Sequence, residues 1–226
     1  MTTQQAIQQS RSTADVVFDH LFEEIVSLTL LPGTKISEVE VAKRFGVSRQ
    51  PIRDAFRRLG NLNLLNIRPQ RATVVRRFSL AEIENTRFLR LAVELEVIDR
   101  ACMVWQPEHS DSLNVNLDAQ KAALAAADTA RFHDLDYDFH RLICEAAGLS
   151  LAFDTVQSCK RHVDRLCVLS LSHDEEREDV LADHINIAKA LADRDAPRAR
   201  ALVRGHVSRL DPIIAEIHKT HQDYFQ

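Results

Sequence analysis

Asp136 and His140 stand four residues apart, one helical turn, on a stripe shared with Phe132, Ile143 and Ala147. His184 shares a stripe with Leu181, Ala188 and Leu191, and His206 with Leu202, Val203, Leu210 and Ile213. Four polar groups on core-facing stripes of three helices should meet, because a buried polar group without a partner costs free energy. One carboxylate and three imidazoles form a donor set for a divalent transition metal, and bundles build such sites from inward residues on facing helices. The same spacing also fits hydrogen-bonded core histidines, so a metal reading and a structural reading stand side by side. The other histidines show no convergent pattern and read as surface or structural.

A second constellation lies near the N-terminus. Ile52, Ala55, Phe56 and Leu59 make a complete core stripe, while Arg49, Arg53 and Arg57 recur every four residues on another face. Ser48, Arg49 and Gln50 open this helix, where free N–H groups and the helix dipole favour an anion. Residues 43–77 hold ten Lys or Arg against one acid, Asp54. A basic helix face at that density points to phosphate, with steep salt dependence, and Arg49 and Arg53 are candidates for guanine readout.

The elements that position these residues divide the chain in two. Residues 1–78 carry 12 basic and 7 acidic side chains, net +5, and residues 79–226 carry 17 and 26, net −9, within a total of −4. Such asymmetry implies two modules with different partners. Val17, Leu21, Ile25 and Leu28 predict a helix over about 13–30, ended by the Leu31-Pro32-Gly33-Thr34 turn. Ser37-x-x-Glu40 predicts a capping box for a short helix closed at Gly46, and Ser48 is expected to cap the next. Asn63 is expected in the left-handed position after that helix. Leu64–Ile67 and Thr73–Val75 then predict a β-hairpin wing, with Arg68 and Arg71 near a tip suited to the minor groove. Beyond Ser79 the pattern is all helix, over about 80–105, 108–127, 130–147, 150–171, 176–193 and 196–221. Arg87, Arg90 and Glu94 are expected close together on the surface of the first of these. The reading is mainly α: a winged helix-turn-helix at 12–77 and an antiparallel all-α bundle at 79–222.

Composition excludes several classes. With 45% apolar and 27% charged residues the chain is neither disordered nor fibrous. It has no run of about 18 apolar residues to span a membrane, and its first residues lack the apolar core of a secretory signal. Cys102, Cys144, Cys159 and Cys167 lack CxxC spacing and read as buried reduced thiols of a cytoplasmic protein.

The run Leu31-Pro-Gly-Thr-x-Ile-Ser-Glu, followed by Val41-Ala-x-x-Phe-Gly-Val-Ser-Arg-x-Pro-Ile-Arg-x-Ala-Phe-x-x-Leu, resembles the winged-helix head of GntR-family transcriptional regulators. Ala72 and Asn63 stand where that head usually carries glycine. The C-terminal half is similar to the helical FCD domain of the FadR branch, through Arg90-x-x-x-Glu94, Asp136-x-x-Phe139-His140, Gly148, and His184 followed by His206. In metal-containing members an Asp and three His at this spacing bind an ion, so the resemblance implies that Asp136, His140, His184 and His206 hold zinc, with nickel or manganese as alternatives. It also implies a homodimer on a palindromic double-stranded operator. A small carboxylate effector is expected at the ion, with Arg90 as its second anchor. The rival reading is a helical metalloenzyme acting on a small organic acid, its open metal position activating water. No general base stands beside the four ligands in the sequence, and the basic head would then go unexplained.

Overall fold

The computed structural model describes residues 11–68, 71–170 and 174–226. It divides into two compact units, one ending at Phe78 and taking in Asp223–Gln226, the other spanning Ser79–Gln222.

The first unit has the order α1 (Thr13–Val26), β1 (Lys35–Ile36), α2 (Glu38–Phe45), α3 (Arg49–Asn61), β2 (Leu65–Asn66) and β3 (Thr73–Val75). β3 is central and pairs antiparallel with both other strands, Val74 opposite Lys35 on one side and Asn66 on the other. Ser12 and Asp15 close a reciprocal capping box at the start of α1. α1 ends earlier than its apolar period suggests. Leu28 adopts φ 60° and turns into the core from the terminating turn, so the stripe outlasts the helix. Ser37 does cap α2, but through Val39 N–H at 3.3 Å, and the expected box with Glu40 does not form. Gly46 ends α2 at φ 65°, a conformation that costs a side-chain-bearing residue, and Asn63 takes φ 58° after α3. Val17, Leu21, Ile25, Ile52, Ala55, Phe56 and Leu59 are buried together with Val75. β1 has no counterpart in the sequence reading. Pro69 and Gln70, at the expected wing tip, lie outside the described residues, as do residues 1–10 and 171–173, the last at the expected junction of the helices over 150–171 and 176–193.

Among its described residues the second unit is all helix: α4 (Leu80–Val104), α5 (Pro107–Ala125), α6 (Thr129–Ala146), α7 (Ser150–Ser170), α8 (Asp174–Ala192), α9 (Ala196–Ser208) and α10 (Leu210–Thr220). α4 packs on α6, α7 and α9, and α8 on α5 and α9. The expected single helix over 196–221 is broken at Arg209. Pro212 explains the break: it lacks an N–H, and its ring clashes with the carbonyl of Ser208 four residues back. The core gathers Ile98, Leu113, Phe139, Ile187, Leu191 and Val203 around the inward faces. A further expectation is overturned here. Arg90 and Glu94 do not lie on the surface of α4 but are each 5% exposed, turned inward with Leu91 and Ile98 as neighbours along the helix. Opposite charges four apart can be buried as a matched pair, so the i,i+4 spacing that reads as a surface pair serves equally inside.

Candidate metal centre and nucleic-acid interface

Asp136 and His140 on α6, His184 on α8 and His206 on α9 are all buried. One ligand atom from each falls within 4.8 Å of the other three. The helix periods deliver them: each residue sits on its helix's apolar stripe, so packing the stripes brings the polar groups to one place.

Each imidazole is held at the nitrogen facing away from the cluster. His140 Nδ1 lies 3.2 Å from Glu94 Oε2, His184 Nδ1 lies 2.9 Å from Gln120 Oε1, and His206 Nδ1 lies 3.4 Å from Asp183 Oδ2. The direction of the second contact is fixed by a relay. Asn116 Nδ2 donates to the Leu135 carbonyl at 3.0 Å, and Gln120 Nε2 donates to Asn116 Oδ1 at 2.6 Å. Gln120 Oε1 is therefore an acceptor, and His184 Nδ1 carries the proton. Carboxylates likewise only accept, so His140 and His206 also carry hydrogen on Nδ1. All three rings then offer an Nε2 lone pair. Oriented tautomers of this kind are how outer groups prepare imidazoles for a metal.

His184 Nε2 is the sharpest observation. It is buried, makes no hydrogen bond, and lies 3.4 Å from Asp136 Oδ1, another acceptor. Two acceptors facing each other in the core call for a cation between them. Side-chain cations already crowd the cluster: Lys160 Nζ donates to Asp136 Oδ2 at 2.5 Å, and Arg90 NH2 lies 3.3 Å from His140 Nε2. The donor set thus fits a divalent transition ion, one oxygen with three neutral imidazole nitrogens.

The electrostatics agree. Burial raises the carboxyl of Asp136, but its partners, Lys160 foremost, outweigh it and hold the group well below its usual range. Glu94 behaves alike, with Arg90 and His140 overcoming burial. Burial, reinforced by His206, keeps His184 well below the ordinary imidazole value, and burial lowers His206 against the opposing Asp183 bond. The acids are thereby charged and His184 and His206 neutral at neutral pH, the protonation states a metal requires.

Sequence reasoning missed Asn116, Gln120, Lys160 and Asp183. Asn116 and Gln120 carry the same signal that singled out Asp136 and His140, a polar pair four apart on a stripe with Leu113 and Leu117.

In the first unit, Ser48, Arg49, Gln50, Arg53 and Arg57 are exposed on α3, and Arg68 and Arg71 are exposed on the wing. Ser48 stands at the N-cap, but its hydroxyl makes no capping bond. The arginines are not loose. Glu38 Oε2 accepts from Arg49 NH2 at 2.8 Å and from Arg53 Nε at 3.0 Å, and Asp54 Oδ1 accepts from Arg57 NH2 at 3.3 Å. Arg68 Nε donates to Asn66 Oδ1 at 3.3 Å. Glu38 is an unanticipated member of this face, drawn in from the first turn of α2.

Comparison with known proteins agrees with both halves. Residues 13–75 match the model of the bacterial regulatory proteins of the gntR family, and residues 86–209 match the FCD domain. The HTH-type transcriptional repressor RspR of Escherichia coli (strain K12) is 33% identical over 225 residues, covering 100% of this chain and 99% of that protein. The probable D-xylose utilization operon transcriptional repressor of Paenarthrobacter nicotinovorans is 26% identical over 90% of this chain and 89% of its own. Among solved structures, E. coli McbR/YncC superposes with a TM-score of 0.71 at 17% identity, over 92% of this chain and 99% of its own, a likeness of fold. These families and relatives are transcriptional regulators rather than enzymes, which removes the metalloenzyme alternative. No helix among the described residues is long and apolar enough to cross a membrane. The chain belongs to the GntR family of bacterial DNA-binding transcriptional regulators, with an FCD domain as its C-terminal half.

Proposed function

We propose that this protein is a metal-dependent regulator whose operator affinity responds to a small carboxylate. The DNA-binding domain is 12–77 and the metal- and effector-binding domain 79–222. Ser48, Arg49, Gln50, Arg53 and Arg57 contact the major groove, and Arg68 and Arg71 on the wing contact the minor groove. Two copies bind a palindromic operator, since a symmetric dimer matches two half-sites. The exposed Phe88 and Leu89 on α4 offer apolar surface for that second copy. The names of the relatives favour repression. In the cytoplasm the thiols of Cys102, Cys144 and Cys159 stay reduced; burial raises all three, Cys144 to about 12.

Asp136, His140, His184 and His206 hold the ion, zinc in the first instance and nickel or manganese as alternatives. Bound there, it supplies positive charge and open coordination positions for a carboxylate. The chain's own residues do the rest. Glu94, Gln120 and Asp183 keep the three imidazoles in one tautomer, and Arg90, beside His140, meets the carboxylate as a second anchor. The observation that carries this reading is the convergence of three Nε2 lone pairs, one of them without a hydrogen bond, on a carboxylate.

The test is metal analysis of protein purified without chelators. The wild type should carry stoichiometric transition metal, and His184→Ala should lose it. A metal-free wild type whose stability does not change on adding zinc, nickel or manganese would refute the site.

A further inference from the structure

Among the described residues, two buried charge pairs flank the cluster. Arg90 meets Glu94 at 2.6 Å and Lys160 meets Asp136 at 2.5 Å, and all four are buried. The imidazoles add no charge when they offer lone pairs. Lys160 comes from α7, and its ammonium also lies 4.8 Å from the centre of the Tyr137 ring.

A lysine is an uneconomical neighbour for a metal-binding carboxylate, because it competes for the same negative charge. Arg90 is already paired with Glu94. The single charge of Asp136, however, must serve both Lys160 and an ion of charge +2. Among these groups two positive charges are then in excess, and uncompensated buried charge is costly. We propose that Lys160 makes the loaded site select a doubly negative ligand, a dicarboxylate in preference to a monocarboxylate. The inference rests on the metal reading above and adds the chemical class of the effector. Lysine suits the task, because a flexible four-carbon stem and three rotatable donors let the ammonium turn from Asp136 to a second carboxylate. With an uncharged residue at position 160, a single negative charge would go further towards balancing the site.

Malate and lactate test this directly, because they share a hydroxy-acid head and differ by one carboxylate. Wild type, Lys160→Met and Lys160→Gln are loaded with zinc, their zinc content and melting temperature measured, and each acid titrated by calorimetry. The Gln variant keeps a hydrogen bond to Asp136 without the charge, so it carries the test if the Met variant does not fold. The wild type should bind malate at least about tenfold tighter than lactate, a lower bound because desolvation offsets much of the attraction of one added charge pair. The uncharged variants should lose most of that preference. They should also take up zinc more tightly than wild type before any acid is added, since a competing cation is gone. A wild type without malate preference, or uncharged variants that keep it, overturns the proposal. Failure of the wild type to take up zinc overturns the metal reading as well, and shows before any acid is added.

Discussion

Gln120→Leu is the most informative single perturbation of the centre. Gln120 is 0% exposed and bonded on both sides, to Asn116 Oδ1 at 2.6 Å and to His184 Nδ1 at 2.9 Å. Leucine fills similar space with no polar atom, so two buried polar atoms on neighbouring side chains lose these partners. Each costs about 1–3 kcal/mol. Against a total of about 2–6 kcal/mol stands the gain of burying an apolar side chain, about 1.5 kcal/mol. The net loss is about 1–4 kcal/mol. At about 2–4 °C per kcal/mol, the melting temperature should fall by roughly 2–16 °C. The second effect is particular to this geometry. Freed from Gln120, His184 can carry its proton on Nε2, and loss of an outer partner typically weakens metal binding about 10–100-fold. Differential scanning fluorimetry with and without chelator reads the first effect, and zinc competition titration the second. A variant that melts lower yet binds zinc as wild type does would refute the tautomer argument. One that changes neither would refute the relay itself.

Arg49→Ala should weaken operator binding by about 1–3 kcal/mol, and Glu38→Gln should strengthen binding to non-specific duplex by releasing Arg49 and Arg53; fluorescence anisotropy across a salt series reads both. Acidification should destabilise the bundle. His184 and His206 are depressed in the fold, so their contribution is complete above the unfolded value of 6.5 and is lost as pH falls below it; thermal melts between pH 7.5 and 5.5 should show the decline, with metal released in parallel. Asp136 and Glu94 extend the loss below their unfolded values of 3.8 and 4.5, where the unfolded chain takes up protons that the depressed native carboxyls do not. Phe88, 74% exposed on α4, should support self-association, and Phe88→Glu should shift the sedimentation profile towards monomer without lowering the melting temperature of the head.

The legible part of the site was the part written in helical period. Asp136, His140, His184 and His206 each interrupt an apolar stripe, and stripes pack inward, so their meeting follows from local pattern. Helix α3 was legible for the same reason, with one face apolar and the other basic. What escaped depended on the third dimension. Arg90 and Glu94 read as a surface pair because i,i+4 spacing is the same inside and out; only packing against α6 decides which. Lys160 and Asp183 join the cluster from helices whose sequence gives no sign of the angle at which they arrive. Glu38 belongs to α2 by sequence but to α3 by contact, reaching Arg49 and Arg53 across the turn. The end of α1 was obscured by Leu28, which keeps the helical period while leaving the helix. Pro212 was a visible warning of the break at Arg209, outweighed by an apolar stripe that runs through it.

In the mechanism proposed, the buried Asp136, His140, His184 and His206 centre links a small acid to DNA binding. Its most direct test is the anisotropy of labelled duplexes, selected from random DNA for tight binding, titrated with protein that is zinc-loaded or chelated, with and without malate. Malate should change operator affinity by about tenfold or more only when zinc is present, and His184→Ala should abolish the response while still binding DNA; couplings of this size correspond to about 1–3 kcal/mol. Equal operator affinity in all four conditions would contradict it.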